Sequence, residues 1–206
     1  MARSTTDIAF TPSVKALQER LGSRPAYARL EARGGWRTAI TPDLAAFAAA
    51  RDSFYLATAN AKGQPYIQHR GGPRGFLHVL DERTLAFADY AGNRQYITAG
   101  NLAENPQAFI FLMDYSTRTR IKLWGTARAV ENDASLLARL APAGGKPRVE
   151  RAIEFEVVAW DANCPQHIPL KHDEEEVAAL RARIAELERE NSGLRRGREA
   201  SERESR

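Results

Sequence analysis

At 206 residues, with 43% hydrophobic and 27% charged side chains, the chain is long enough to bury one substantial core and ordinary in composition for a globular domain. The formal net charge is only +4, and much of the basic excess lies near the ends, at Arg195, Arg196 and Arg198, so nothing implies a dedicated nucleic-acid groove. No apolar run approaches the roughly eighteen residues of a membrane span. The segment Met1–Asp7 lacks the apolar core of a secretory signal, and Cys164 alone permits no intrachain disulfide, so a cytoplasmic setting is expected.

Thr11-Pro12 opens a helical pattern through Val14, Leu17 and Leu21 that Gly22 closes, and Thr41-Pro42 opens a second through Leu44, Phe47 and Ala48 to Arg51. In both, Thr is the N-cap and Pro takes the first helical position, where its missing N–H costs nothing. Gly34-Gly35-Trp36 reads as a loop between them. Strands are expected at 53–60, 65–70, 76–80, 84–90, 107–114, 119–130 and 152–160, with turns at Lys62-Gly63, Asp81–Arg83 and Ser116–Arg118. Helices are expected at 95–104 and 133–140, with a loop at 141–147. Many short strands with few helices favour a barrel over a doubly wound sheet.

The tail differs in kind. Val177, Ile184 and Asn191 occupy heptad position a, and Leu180, Leu187 and Leu194 occupy d. β-branched residues at a with Leu at d favour a parallel pair of helices, and a single Asn at a sets register. Across such a pair the g and e positions give Glu176–Arg181, Arg183–Glu188 and Glu190–Arg195, all opposite in sign. The other reading is a solvated helix lying on its own domain. Residues after Gly197 read as disordered.

The chemistry concentrates where the strand Leu85–Tyr90 runs through Gly92 into Asn93, Arg94 and Gln95, followed by a helix ending at Asn105-Pro106. Backbone N–H groups at a helix start together with a guanidinium make a cradle for phosphate. Upstream, Gln68, His69 and Arg70 end the strand that follows the Lys62-Gly63 turn. Alternation puts Gln68 and Arg70 on one face and His69 on the other.

Taken in order, the segments 53–70, 85–114 and 121–130 resemble the FMN-binding split-barrel family typified by pyridoxamine 5′-phosphate oxidase. The resemblance implies a mainly β (α+β) fold: a six-stranded split β-barrel over 53–168, N-terminal helices over 1–52 packed on it, and beyond the family pattern a coiled-coil helix at 173–196. It implies a homodimer binding FMN, and oxidoreductase activity on a small molecule. Asn93, Arg94 and Gln95 would meet the FMN phosphate, with Arg70 as a further cation; the bland reading of Arg94 is a surface helix cap. Gln68, His69, Asp89 and Tyr90 would lie along the flavin and its ribityl chain, though His69 also fits a structural role and Tyr90 also fits core packing. Gln107 follows the Asn105-Pro106 turn and would reach the flavin, and the C-terminal stretch would lie over the flavin of the partner subunit, with Trp160, Asn163, Gln166 or His167 as contacts. Trp124 reads as core or dimer interface.

Two features keep the reading open. The oxidase proper carries an Arg-x-His element at its C-terminus, whereas this chain has Pro165-Gln166-His167 without that Arg, which argues against vitamin B6 as substrate. The same barrel also serves deazaflavin F420 or haem, and for haem the axial candidates are His69, His78, His167 and His172. A flavin-binding module without turnover is a further alternative. Cys164, His167 and His172 allow a weak zinc reading with no second Cys pair behind it.

Overall fold

The computed structural model describes residues 4–144, 147–163 and 165–204. The chain through Asp114 groups with Thr119–Gln166 as one unit, and Tyr115–Arg118 groups with the chain from His167 onward as another.

The first unit starts with a 3-10 turn at Thr5–Ile8, capped by Ser4. Helix α1 (Pro12–Arg20) begins as expected, the Thr11 hydroxyl accepting from the Val14 N–H at 3.3 Å. Helix α2 (Arg24–Ala32) was not announced by the sequence pattern. It buries none of its residues, so it lacks the apolar stripe by which a helix is recognised. Helix α3 (Pro42–Ala49) repeats the Thr-Pro start at Thr41 and sends Leu44 and Ala48 into the core. Just beyond it, Arg51 donates to the Met113 carbonyl at 3.1 Å and pairs with Asp114 at 2.7 Å, fixing the helix end to the sheet.

The strands are β1 (Ser53–Ala59), β2 (Pro65–Gly71), β3 (His78–Val79), β4 (Thr84–Tyr90), β5 (Gln107–Asp114), β6 (Thr119–Val130) and β7 (Val149–Asn163). They form one sheet in the order β2-β1-β5-β6-β7-β4-β3, every neighbouring pair antiparallel. All seven expected strands are present, one more than the six of the barrel that the resemblance implies; the strand expected at 76–80 shortens to the two-residue β3, which pairs onto β4 at the edge. Alternation decides which side chains enter the core. Phe54 and Leu56 of β1, Ile110 and Leu112 of β5 and Phe155 and Val157 of β7 are almost wholly buried. On β4 the other face is covered too. Helix α5 (Ala134–Leu140), capped by Asp133, lays Leu136 and Leu140 over Ala86, Ala88 and Ala152, whose small side chains let the helix approach.

The sheet curls until its distant members touch. Phe54 of β1 meets Phe87 of β4 edge-on with ring centroids 5.0 Å apart. Arg70 of β2 donates to the carboxylate of Asp89 on β4, although four strands separate β2 from β4 in the sheet. Side chains rather than a backbone ladder thus close this split barrel. Gly125 shapes the opposite wall. The β6–β7 register shifts between Trp124 and Gly125, and a Cβ at Gly125 would overlap the Glu156 carbonyl oxygen and stand 2.7 Å from the Phe155 ring.

In the second unit, helix α6 (Glu174–Glu204) is continuous for 31 residues. It runs past Gly197, where composition had predicted disorder. Glu, Arg and Ala dominate this stretch, Arg183 and Glu186 pair one turn apart at 2.5 Å, and each helical Gly costs only about 1 kcal/mol against Ala. Among the described residues no helix is long and apolar enough to cross a membrane.

Two stability predictions follow from the closure. Gly125→Ala should cost on the order of 2–3 kcal/mol by overpacking, read from the shift of a denaturant midpoint; a change below about 0.5 kcal/mol would mean the β6–β7 contact yields easily. Asp89→Ala should cost on the order of 3 kcal/mol, because it strands Arg70 in a nearly buried position. Replacing both partners, as Arg70→Met with Asp89→Leu, should cost clearly less. Equal losses in the single and double variants would show that the pair does not hold the seam.

Candidate functional site

Backbone hydrogen bonding lapses where β2 and β4 face each other, and a cavity of about 190 Å3 opens there. Four sequence segments build it, one of them β7 through Glu150. From β2 come Tyr66, Gln68 and Arg70, the inward-facing half of a strand whose Ile67 and His69 are exposed. From β4 come Asp89 and Tyr90. The third wall is the turn after β4 and the first turn of helix α4 (Ile97–Glu104), including Asn93, Arg94 and Gln95.

That turn is sharply shaped. Arg94 and Tyr96 both hold left-handed backbone, at φ 59 and 53, which non-glycine residues seldom adopt. The Asn93 side chain accepts from the Gln95 N–H at 3.1 Å and steadies the turn. Tyr96 is the N-cap residue and supplies no side-chain cap, so the start of α4 faces the cavity with backbone N–H groups uncapped from its own side chain. The helix itself is pinned. The Thr98 hydroxyl donates to Gln68 Oε1 at 2.9 Å, and Asn101 Nδ2 donates to the Thr58 hydroxyl at 3.0 Å, both from buried positions on α4. Gln68 is oriented by the same bond that fixes α4 to the barrel.

Charge inside the cavity is balanced by pairing. Asp89 takes the Arg70 guanidinium from β2, and its other oxygen lies 3.8 Å from Arg151 Nε on β7. Arg151 also lies 3.6 Å from Glu150 and 3.4 Å from Glu131, and its guanidinium covers the Tyr96 ring at 5.1 Å. The Nε atoms of Arg70 and Arg151 are buried without a hydrogen-bond partner. Burial raises the Tyr90 phenol above its ordinary value, which keeps it a neutral donor at physiological pH. Arg94 stands exposed at the rim, where an incoming anion would meet it.

Of the residues singled out in the sequence, Gln68, Arg70, Asp89, Tyr90, Asn93, Arg94 and Gln95 gather around this one cavity. The others lie elsewhere. His69 points to the opposite face of β2, against the Tyr55 ring. Gln107 lines a different groove, with Ala57, Phe109 and Trp124, on the outer face of β1, β5 and β6. Trp160 is core: its ring is buried and its indole N–H donates to the Ala39 carbonyl at 2.8 Å. Gln166 is exposed, and His167, also exposed with φ 62, belongs to the second unit. Cys164 lies outside the described residues, among which no three His, Cys, Asp or Glu side chains stand close enough to hold a metal.

Tyr66, Tyr96, Thr98, Glu150 and Arg151 were not singled out. Tyr66 was legible, since it continues the period-two face of Gln68 and Arg70. Arg151 was not, because only the β4–β7 register, which sets Asp89 opposite Arg151, brings it here.

Residues 40–164 match the family model described as pyridoxamine 5′-phosphate oxidase. Among similar solved structures, HupZ from Group A Streptococcus shares 18% identity over 65% of this chain and 99% of that one, with a TM-score of 0.49. An FMN-binding protein from Syntrophomonas wolfei shares 14% over 74% and 95%, with a TM-score of 0.46. HutZ, the haem storage protein of Vibrio cholerae, shares 21% over 57% and 88%, with a TM-score of 0.40. No curated protein shows significant similarity to the chain. Because the matched segment spans more than half of the sequence, the chain belongs to the pyridoxamine 5′-phosphate oxidase-like family of FMN-binding split barrels.

Proposed function

We propose that this protein binds FMN at the β2–β4 seam and acts as a cytoplasmic, homodimeric flavin-dependent oxidoreductase on a small molecule. The observation that carries the reading is the donor set of the seam cavity: an exposed guanidinium at Arg94, amides at Asn93 and Gln95, and the uncapped start of α4, converging within one turn. That set suits a phosphate monoester, since the helix start and the cation both favour a dianion. The carboxylates of Asp89 and Glu150 do not oppose it outright, because Arg70 and Arg151 already neutralise them. Gln68, held by Thr98, and the neutral Tyr90 phenol supply fixed polar contacts deeper in the cleft. When bound, the flavin would carry the electrons; the chain's part is to bind, orient and exclude water.

The homodimer enters for a volumetric reason. Cofactor sites usually fill roughly 300–1,000 Å3, and the seam cavity of one chain holds about 190 Å3. A second copy would complete the cover. The outer face of β1, β5 and β6 is suited to it, since Tyr55 is exposed there and Phe109 and Trp124 border an apolar groove. Haem fits the cavity less well, because among the described residues no histidine lines it. F420 shares the phosphate chemistry, and a non-catalytic flavin module shares the whole site, so turnover must separate them.

The test is direct. Purified protein should show flavin absorbance or take up added FMN, and its flavin should be reduced by NADH, NADPH or reduced F420 and reoxidised by some member of a substrate panel. A colourless protein that takes up no FMN would sink the reading, a Soret band would turn it to haem, and tight FMN without turnover would leave a module. Arg94→Ala should weaken FMN about tenfold to a hundredfold, the loss of one charge-assisted hydrogen bond worth on the order of 1.5–3 kcal/mol. Its unfolding midpoint should barely move, because Arg94 is exposed. Unchanged FMN affinity would reassign Arg94 to helix capping.

A further inference from the structure

We infer that α6 is an interaction surface for α6 of a second copy of this chain, joined to it as a parallel, in-register coiled coil. The inference rests on the helix's own residues and stands apart from the flavin reading.

The helix spans about 46 Å at 1.5 Å per residue over its 31 residues. Its long apolar side chains fall on one seam and are left in solvent: Leu180 and Ile184 are 56% exposed, Leu187 46% and Leu194 76%. A helix whose flanking e and g positions are all charged gains nothing by presenting such a stripe to water, so the stripe awaits a partner.

The flanking charges identify that partner as the same sequence. In a parallel pair each g residue meets an e residue five positions on. Glu176 then faces Arg181 of the partner subunit, Arg183 faces Glu188 of the partner subunit, and Glu190 faces Arg195 of the partner subunit. All three contacts are attractive and each occurs twice by symmetry. A membrane surface is a poor alternative, since the flanks carry acidic and basic residues in alternation rather than a basic face.

Direction follows from Asn191. In the parallel arrangement the two Asn191 side chains meet in one a layer and hydrogen-bond to each other. In an antiparallel pair with Ile184 opposite Leu187, Asn191 would instead face Leu180, and its amide would be buried unpaired. Val177 and Ile184 at a with Leu at d select two helices rather than three or four.

The experiment uses the full chain with Cys164→Ser, so that introduced thiols stand alone. Leu180→Cys and Leu194→Cys, one at each end of the seam, should each give disulfide-linked dimer under mild oxidation. Linkage only in mixtures of Leu180→Cys with Asn191→Cys would make the pair antiparallel and overturn the proposal. Absence of linkage in every case would leave the helix solitary or covered by something else, and would overturn it too. A charge swap separates a true coil from mere proximity. In the Leu194→Cys background, reversing the e residues (Arg181→Glu, Glu188→Arg, Arg195→Glu) should lower linkage at least tenfold. Coexpression with a chain reversed at g (Glu176→Arg, Arg183→Glu, Glu190→Arg) should restore it as mixed dimers. Linkage indifferent to these reversals would refute the coil, whatever the flavin content of the protein.

Discussion

The seam between β2 and β4 is the constraint on which the rest of the barrel depends. Four strands lie between them in the sheet, yet Arg70 and Asp89 meet, so the sheet must curl through most of a turn before that bond can form. No backbone ladder joins the two strands; side chains alone span the gap. An ion pair in so dry a place stabilises little in net terms, because taking both charges out of water costs nearly what their attraction returns. What it supplies is selectivity, since any slip of β2 by one residue would turn Arg70 outward and leave Asp89 with Arg151 alone.

The same gap makes the site. A continuous ladder would have filled the space with paired backbone, whereas an unladdered seam leaves room and unpaired polar groups. The chain exploits this by routing the β4–α4 connection across the opening. Its left-handed residues Arg94 and Tyr96 are strained, and such strain persists only where the surroundings over-determine it. Here the surroundings are named: Arg151 over the Tyr96 ring, Asn93 bonded to Gln95, and Thr98 bonded to Gln68. The helix start is therefore held at a fixed angle to β2, which is what a phosphate cradle requires.

How far the sequence could be read depended on whether the signal was local. The Thr-Pro helix starts, the Lys62-Gly63 turn, the helix expected at 133–140 and the period-two strands act over a few residues and stood where expected, give or take a residue. The face of β2 was legible for the same reason, which separated Arg70 from His69. Contacts set by closure were not legible. Arg151 reaches Asp89, and Glu150 the cavity, only through pairing of strands far apart in the chain, and nothing near Arg151 hints at it. Trp160 illustrates the converse error. A Trp beside a distinctive segment invites a functional reading, but its neighbours in space are Ala39 and Arg37, and it serves the core. Helix α2 escaped because a helix that buries nothing leaves no stripe to find.

Two features, one in each unit, suit the proposed dimer. The seam cavity, about 190 Å3, lies below the roughly 300–1,000 Å3 of usual ligand sites, and the α6 stripe is apolar yet exposed. Three heptads make a marginal coil when the helices must find each other from dilute solution. Any barrel contact that brings two chains together converts that search into an intramolecular step, raising the effective concentration of one helix for the other to the millimolar range when the connection is short and flexible. The reverse also holds, since linkage is reciprocal: a coil that forms adds to the stability of whatever contact the barrels make. A weak barrel contact and a weak coil, each insufficient alone, can thus produce one firm dimer. The proposed coil would account for a tail that spaces Val177, Leu180, Ile184, Leu187, Asn191 and Leu194 at heptad positions beside charges of opposite sign.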